Sequence, residues 1–283
     1  MNPWTHKSFT LYDDFQYLDR LASIYPLQEN EVRTIEPELK EKLRVAFHNR
    51  DNNTLFNLLL KQKKFPIKDS YKAFFTRVPK GEVEKIIQNN PETVERIVNR
   101  IYALGFDKMI EGLEEPIETN RQIGPMFPNW IRKQYPSYAN EIEFLNANDP
   151  ISVLIGSDDA LVQFVKKHLH VVLPTGSDNG EKGLDMVVKI NSKPTATFVI
   201  GEAKFLTDEG GHQNAQLKDA LDLITSSSFR NEGPYQIFRV AVLDGVCWIN
   251  SKNSKMQANL RGLKRDQIAM SALLLDEFFH SLL

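Results

Sequence analysis

Gly183-Leu-Asp-Met-Val-Val-Lys-Ile-Asn-Ser-Lys-Pro-Thr-Ala-Thr-Phe-Val-Ile-Gly-Glu-Ala-Lys204 is the stretch from which the rest of the chain is read. Leu184 to Ile190 is rich in β-branched and apolar residues, Asn191-Ser-Lys-Pro194 is turn chemistry, and Thr195 to Phe205 returns as a second apolar run. That pattern predicts two strands joined as a hairpin. Side chains alternate along a strand, so Glu202 and Lys204 share one face with Phe198 and Ile200, while Thr197, Val199, Gly201 and Ala203 form the other. A strand with mostly uncharged residues on both faces is expected to be central and covered on both sides. The first strand can then place Asp185 beside the pair.

Two carboxylates and one ammonium are costly in such a strand, because a charge taken out of water needs a partner or a metal. The trio is therefore a candidate site. Two acidic oxygens suit Mg²⁺, a hard cation that prefers carboxylates, carbonyls and water, and the Ala203 backbone carbonyl is a further candidate ligand. Lys204 can orient an attacking water, favour its hydroxide form and stabilise charge on a phosphorane. The chemistry that fits is metal-assisted phosphodiester hydrolysis, and the competing reading is a paired ion cluster on an edge strand.

Asp185, sixteen intervening residues and then Glu202-Ala203-Lys204 resemble the PD-(D/E)xK nuclease signature, with Leu184 standing where the signature loosely keeps a proline. The run Gly201 to Gln216, together with Asn120-Arg-Gln-Ile-Gly-Pro125, resembles the type II restriction endonucleases of that superfamily. The resemblance implies an α/β protein with a restriction-endonuclease-like core, a mixed sheet flanked by helices. It implies Mg²⁺-dependent cleavage of double-stranded DNA at a short specific sequence, leaving 5′-phosphate and 3′-hydroxyl ends, with a cognate DNA methyltransferase as the protecting activity. In the superfamily the helix before the first core strand sometimes lends another acid to the metal. Asp159, in the Ser157 to His170 helical pattern, is the candidate here, beside its plainer reading as a carboxylate on a helix dipole. Glu38-Leu39-Lys40 repeats the Glu-x-Lys spacing, but inside a charged helical pattern with no apolar strand around it.

The outer bounds agree with an enzyme of this size. A chain of 283 residues, 41% hydrophobic and 25% charged, can bury a sizeable core. No apolar run approaches the ~20 residues needed to span a bilayer. The N-terminus lacks the apolar segment of a secretory signal, and the single cysteine, Cys247, excludes an internal disulfide framework. A cytoplasmic protein is expected, with no membrane partner.

Net charge is −2, yet Lys40 to Lys80 holds eleven Lys/Arg against three acids, which is compatible with a basic surface for DNA phosphates. Candidate DNA contacts are Lys61, Lys63 and Lys64 there, Arg121 in the proline-rich stretch, Lys182 in the polar loop before Asp185, and His212, Gln213 and Gln216 after the motif. Each has a bland alternative in a solvated face, an ion pair or a cap.

Three regions are expected. Residues 1–115 read as a helical N-terminal subdomain for DNA recognition or scaffolding, including one helix over 8–24 and a helix capped by Asn90 with Pro91 at its first position. Residues 116–149 read as an ordered connector, with helical periodicity lapsing between Glu114 and Tyr138 and with Phe127 and Trp130 buried, and 150–283 as the nuclease core. Within that core, Tyr235 to Leu243 is a strand that Asp244-Gly245 turns into Val246 to Ile249, and Ile268 to Leu282 is a last helix whose apolar stripe closes the core or makes a homodimer contact. Two further functions stay open at this level: a structure-specific repair or mobile-element nuclease, and a non-catalytic DNA-binding protein.

Overall fold

The apolar run after Pro194 forms the centre of a six-stranded mixed sheet. A computed structural model describes residues 1–13, 17–26, 34–69, 71–76, 80–115, 123–175, 183–249 and 254–283. Its strands are Ser137–Tyr138 (β1), Ile151–Leu154 (β2), Val171–Val172 (β3), Met186–Ile190 (β4), Thr197–Leu206 (β5), Arg230–Asn231 (β6), Gln236–Gly245 (β7) and Ile268–Met270 (β8). The main sheet runs β1-β2-β4-β5-β7-β8, and β3 pairs with β6 as a separate ladder. The expected hairpin is present: β4 and β5 pair antiparallel, with Met186 opposite Gly201 and Ile190 opposite Thr197. On its other side β5 pairs parallel with β7. Because β5 has a partner on each edge, the reading of its charged residues as an edge-strand ion cluster is excluded.

Alternation sorts the two faces as the sequence predicts. Val187, Phe198 and Ile200 pack with Leu161, Phe164, Val165 and Leu169 of the Asp158–Leu169 helix. Met186, Val188, Ile190, Val199, Val240 and Val242 pack with Leu217, Ala220, Leu221 and Ile224 of the Gly211–Thr225 helix. That second helix makes the crossover that a parallel β5–β7 pair requires. Ser157 caps the first helix, accepting a hydrogen bond from the Ala160 N–H at 3.3 Å.

The described chain divides into two compact units, one of residues 1–27 with 120–283 and one of residues 28–119. The helical region expected over 1–115 is thus split. Of the helix expected over 8–24, the described residues are helical over Pro3–Asp13 and Tyr17–Leu21, and residues 14–16 lie outside the described residues. Leu11, Tyr17, Leu21 and Ile24 are buried in the core of the sheet unit, and Thr5 donates to the Ala269 carbonyl of β8 at 2.7 Å. The reason is burial: the stripe of these short helices is covered by the sheet's own core.

The second unit is helical, with Pro37–His48, Asn52–Leu60, Lys72–Thr76, Val83–Asn89, Pro91–Leu104 and Phe106–Glu114 around Leu43, Leu55, Phe56, Ile97, Ile101 and Met109. Asp51 caps the second of these helices through the Thr54 N–H at 3.0 Å. Pro91 does open its helix, but the Asn90 side-chain amide donates back to the Ile86 carbonyl at 2.8 Å and makes no cap.

Three local expectations are corrected. Within the stretch where helical periodicity lapses, Met126–Gln134 is nevertheless helical; Phe127 is buried as expected and Trp130 only partly so. Ile268 lies in strand β8, and the last helix is confined to Leu275–His280. Val246–Trp248 is a single 3-10 turn and not a returning strand. Gly245 makes that turn, with φ +95°, and a Cβ there would lie 2.0 Å from the Leu206 carbonyl oxygen. An alanine therefore meets both a disfavoured backbone region and a backbone clash. Gly245→Ala is expected to lower the unfolding free energy by on the order of 3 kcal/mol, read from the urea midpoint at unchanged slope; a loss below about 0.5 kcal/mol would show that the turn adapts.

Candidate active site

The β4–β5 ladder ends at Met186 opposite Gly201, and Asp185, the residue before β4, stays against β5 out of register: its N–H donates to the Gly201 carbonyl at 2.9 Å. The Asp185 side chain closes a second bond, its Oδ2 accepting from the Ala203 N–H at 2.7 Å. On β5, Lys204 Nζ lies 2.9 Å from Glu202 Oε1. The Glu202 side chain is 8% exposed and that of Lys204 28%, so the acid is sunk in the sheet while the ammonium reaches its surface.

The trio sits at one end of the sheet beside a cleft of about 410 Å³. Asp185, Ala203, Lys204, Asp158 and Gln216 supply its polar lining, and Tyr25, Ile123, Phe127, Pro128 and Phe205 its apolar wall. Burial pushes the Asp185 carboxyl above the usual carboxylate range; the Lys204 ammonium and the Ala203 N–H pull it back in part, while Glu202 and Asp158 push it further up. For Lys204, burial acts to lower the ammonium's pKa, but Glu202 and Asp185 outweigh it and hold the group above its ordinary value. Lys204 is therefore a cation at neutral pH, suited to countering negative charge and orienting a water.

A family model described as the Tsp45I type II restriction enzyme matches residues 2–282. The chain belongs to the Tsp45I type II restriction enzyme family. No curated protein and no solved structure matches it. Membership makes the chain a sequence-specific DNA endonuclease, a hydrolase of a restriction system, and sets aside the reading as a non-catalytic DNA-binding protein. Its α/β architecture, a mixed sheet flanked by helices, agrees with a restriction-endonuclease-like fold. Type II restriction enzymes generally use a divalent metal. Among the described residues no three or more His, Cys, Asp or Glu side chains cluster closely enough to hold one by themselves, so any ion here would take carbonyl, water or phosphate oxygens as well. No helix among the described residues is long and apolar enough to cross a membrane.

The restriction enzyme sorts the remaining candidates. Asp159 is exposed and does not line the cleft; its neighbour Asp158 does, with its carboxylate 3.9 Å from where a Cβ on Gly183 would stand. Helical spacing carried this signal, because Asp158 leads the buried Leu161, Val162 and Val165 at three, four and seven residues, whereas Asp159 leads one buried residue, Val162 at three, and the exposed Gln163 and Lys166 at four and seven. Gln216 reaches the cleft. Gln213 does not serve as a DNA contact: it is buried, donating to Thr207 Oγ1 at 3.3 Å and accepting from the Thr207 N–H at 3.4 Å. His212 is exposed, its Nε2 3.2 Å from Gln216 Nε2. Lys61 and Lys63 are exposed on the helical unit, and Lys64 pairs with Glu115. Arg121 and Lys182 lie outside the described residues. The Glu38-Leu39-Lys40 decoy sits in a helix where Glu38 pairs with Lys42 at 2.7 Å. Tyr25, Phe127 and Phe205 as cleft walls had no local signal beyond apolarity.

Placement of the two neighbouring aspartates gives a direct comparison. Asp158→Ala is expected to slow cleavage of a large defined DNA about 10–100-fold, the usual effect of removing a group beside a metal's ligands, while Asp159→Ala stays within about twofold. Initial rates decide it, and the reverse order would show that the Asp159 side of the helix faces the chemistry.

Proposed function

We propose that this restriction enzyme is a Mg²⁺-dependent nuclease of the PD-(D/E)xK type, with Asp185, Glu202 and Lys204 as its catalytic residues and 5′-phosphate and 3′-hydroxyl ends as its products. One observation carries the reading: Asp185, at the start of β4, is bonded to the β5 backbone on either side of Glu202, with the Lys204 ammonium 2.9 Å from Glu202 and both Asp185 and Lys204 lining an open cleft. The donor set fits the ion. The Asp185 and Glu202 carboxylates and the Ala203 carbonyl are hard oxygen donors, with Asp158 close beside them, and the raised Asp185 carboxyl is what an acid site looks like before a cation joins it. Bound there, Mg²⁺ would supply positive charge against the charge building on the scissile phosphate.

The protein's own residues do the rest. Lys204, fixed by Glu202, orients a water in line with the phosphorus and counters charge on the pentacovalent phosphorane. Water oxygen bonds to phosphorus as the P–O3′ bond breaks, the phosphate stays on the 5′ side, and the departing O3′ takes a proton from solvent to become the hydroxyl. Because Lys204 is held protonated, the attacking water's proton passes to solvent and not to the amine. Gln216, on the cleft lining, is placed to hydrogen-bond the substrate phosphate.

The helical unit of residues 28–119 is proposed to meet the duplex backbone through its basic side chains, Lys61 and Lys63 among them. The enzyme is further proposed to act in the cytoplasm as a homodimer, which would let two sites address both strands, alongside a DNA methyltransferase that protects the host's own sites.

Digestion of a large defined DNA with and without Mg²⁺ tests the catalytic reading. Wild type with Mg²⁺ is expected to give a discrete fragment ladder with 5′-phosphate ends, and Asp185→Ala and Lys204→Ala to lose at least about 10²–10³-fold in rate. Undiminished cleavage by either variant would remove it from the mechanism. For the helical unit, the double change Lys61→Ala and Lys63→Ala is expected to reduce the slope of log affinity against log salt by about 2; an unchanged slope would place those lysines away from phosphates.

A further inference from the structure

Asp244 is a carboxyl with no exposed surface, at the β7 position that pairs with Phe205, one residue beyond Lys204 on the catalytic strand. Burying it is costly unless every oxygen is satisfied, and four donors converge on it. Ser271 Oγ and Tyr17 Oη donate to Oδ1 at 2.5 and 3.0 Å, and the Ala272 N–H and Tyr25 Oη donate to Oδ2 at 3.2 and 3.0 Å. Burial pushes the Tyr17 and Tyr25 phenols well above their ordinary range, so both remain neutral donors.

Three of these donors serve the interior. Ser271 and Ala272 lie at the end of β8, and the Tyr17 hydroxyl also accepts the Gly245 N–H at 3.1 Å, tying the turn after β7. Tyr25 differs. Its ring meets the Phe205 ring edge to face at 4.8 Å between centroids, and both rings line the cleft with Asp185, Ala203 and Lys204. It is also close enough to Asp185 for that carboxylate to add to the upward shift of its phenol.

We infer that Tyr25 is a positioning residue of the active site: anchored by its hydroxyl on Asp244, its ring holds Phe205, and with it the Glu202 to Lys204 end of β5, in the geometry that catalysis needs. The inference rests on the catalytic reading of Asp185, Glu202 and Lys204. A ring fixed at its hydroxyl by a hydrogen bond and at its edge by packing has little freedom left, and displacements near 1 Å in a catalytic group cost roughly 10²-fold in rate. Tyr25 touches neither the phosphate nor the ion in this account; it acts through Phe205.

Tyr17 provides an internal control, since Tyr17→Phe and Tyr25→Phe each delete one phenol donor to the same carboxyl and keep the ring. Single-turnover cleavage and binding should be measured with the full enzyme on a DNA fragment that wild type cuts, with urea unfolding of each variant alongside. Tyr25→Phe is expected to lower the cleavage rate about 10-fold with DNA affinity within about twofold of wild type, whereas Tyr17→Phe, which also strips the Gly245 N–H of its acceptor, loses at least as much stability and keeps its rate. Phe205→Leu, which thins the ring contact, should follow Tyr25→Phe. Equal rate losses in the two tyrosine variants, or a wild-type rate in Tyr25→Phe, would overturn the inference and leave Asp244 as a core anchor only. Lys204→Ala, run in parallel, separates the two claims: if it cleaves normally the catalytic reading fails first, and if it is inactive the tyrosine comparison stands by itself.

Discussion

The proposed active site hangs on the register between β4 and β5. Side chains on a strand have a period of two, so a slip of one residue would carry Glu202 and Lys204 to the opposite face and leave Asp185 without its neighbour. The register is over-determined. Both faces of the hairpin are buried, by different helices, so neither strand can slide without exposing one apolar set and burying the wrong other. Asp185 adds its own lock, because its N–H and its carboxylate bond to the backbone of β5 on either side of Glu202.

Such a lock matters because the charges it holds are costly. Glu202 is nearly buried in a central strand, and the adjacent Lys204 ammonium, 2.9 Å away, helps to offset that burial. The start of the Asp158–Leu169 helix stands nearby, where unpaired N–H groups carry partial positive charge, and Asp158 brings one more acid to the same place. A second buried cation in the sheet shows the contrasting, purely structural solution. Lys189 on β4 donates to the Leu145 and Ala147 carbonyls, at 2.6 and 2.8 Å, at the C-terminal end of the Glu141–Asn146 helix. Its charge meets helix carbonyls and not a carboxylate at a cleft, and that difference separates a packed lysine from a site lysine.

The cleft wall is the work of distant segments. Tyr25 comes from the chain's beginning, Ile123 and Phe127 from its middle and Phe205 from β5, and the buried Asp244 gathers the first of these against the last. Restriction enzymes must align a phosphate, a water and an ion within fractions of an ångström, so a wall pinned by a buried carboxyl has clear use.

Sequence by itself determined what local periodicity can carry. The two strands and their turn, the face on which Glu202 and Lys204 lie, the nearness of Asp185 to them and the dismissal of Glu38-Leu39-Lys40 were all legible, because alternation and turn chemistry act over a few residues. Asp158 was legible too, in the helical spacing of its buried partners, although Asp159 was the residue first singled out. Only the tertiary structure decided that Gln213 is sealed against Thr207, that Gly245 ends β7 in a 3-10 turn, that residues 1–27 belong with the sheet, and that Tyr25 faces the catalytic strand. Those outcomes depend on which surfaces meet across more than a hundred residues of chain, and an apolar or polar residue reads the same in sequence whatever it finally packs against.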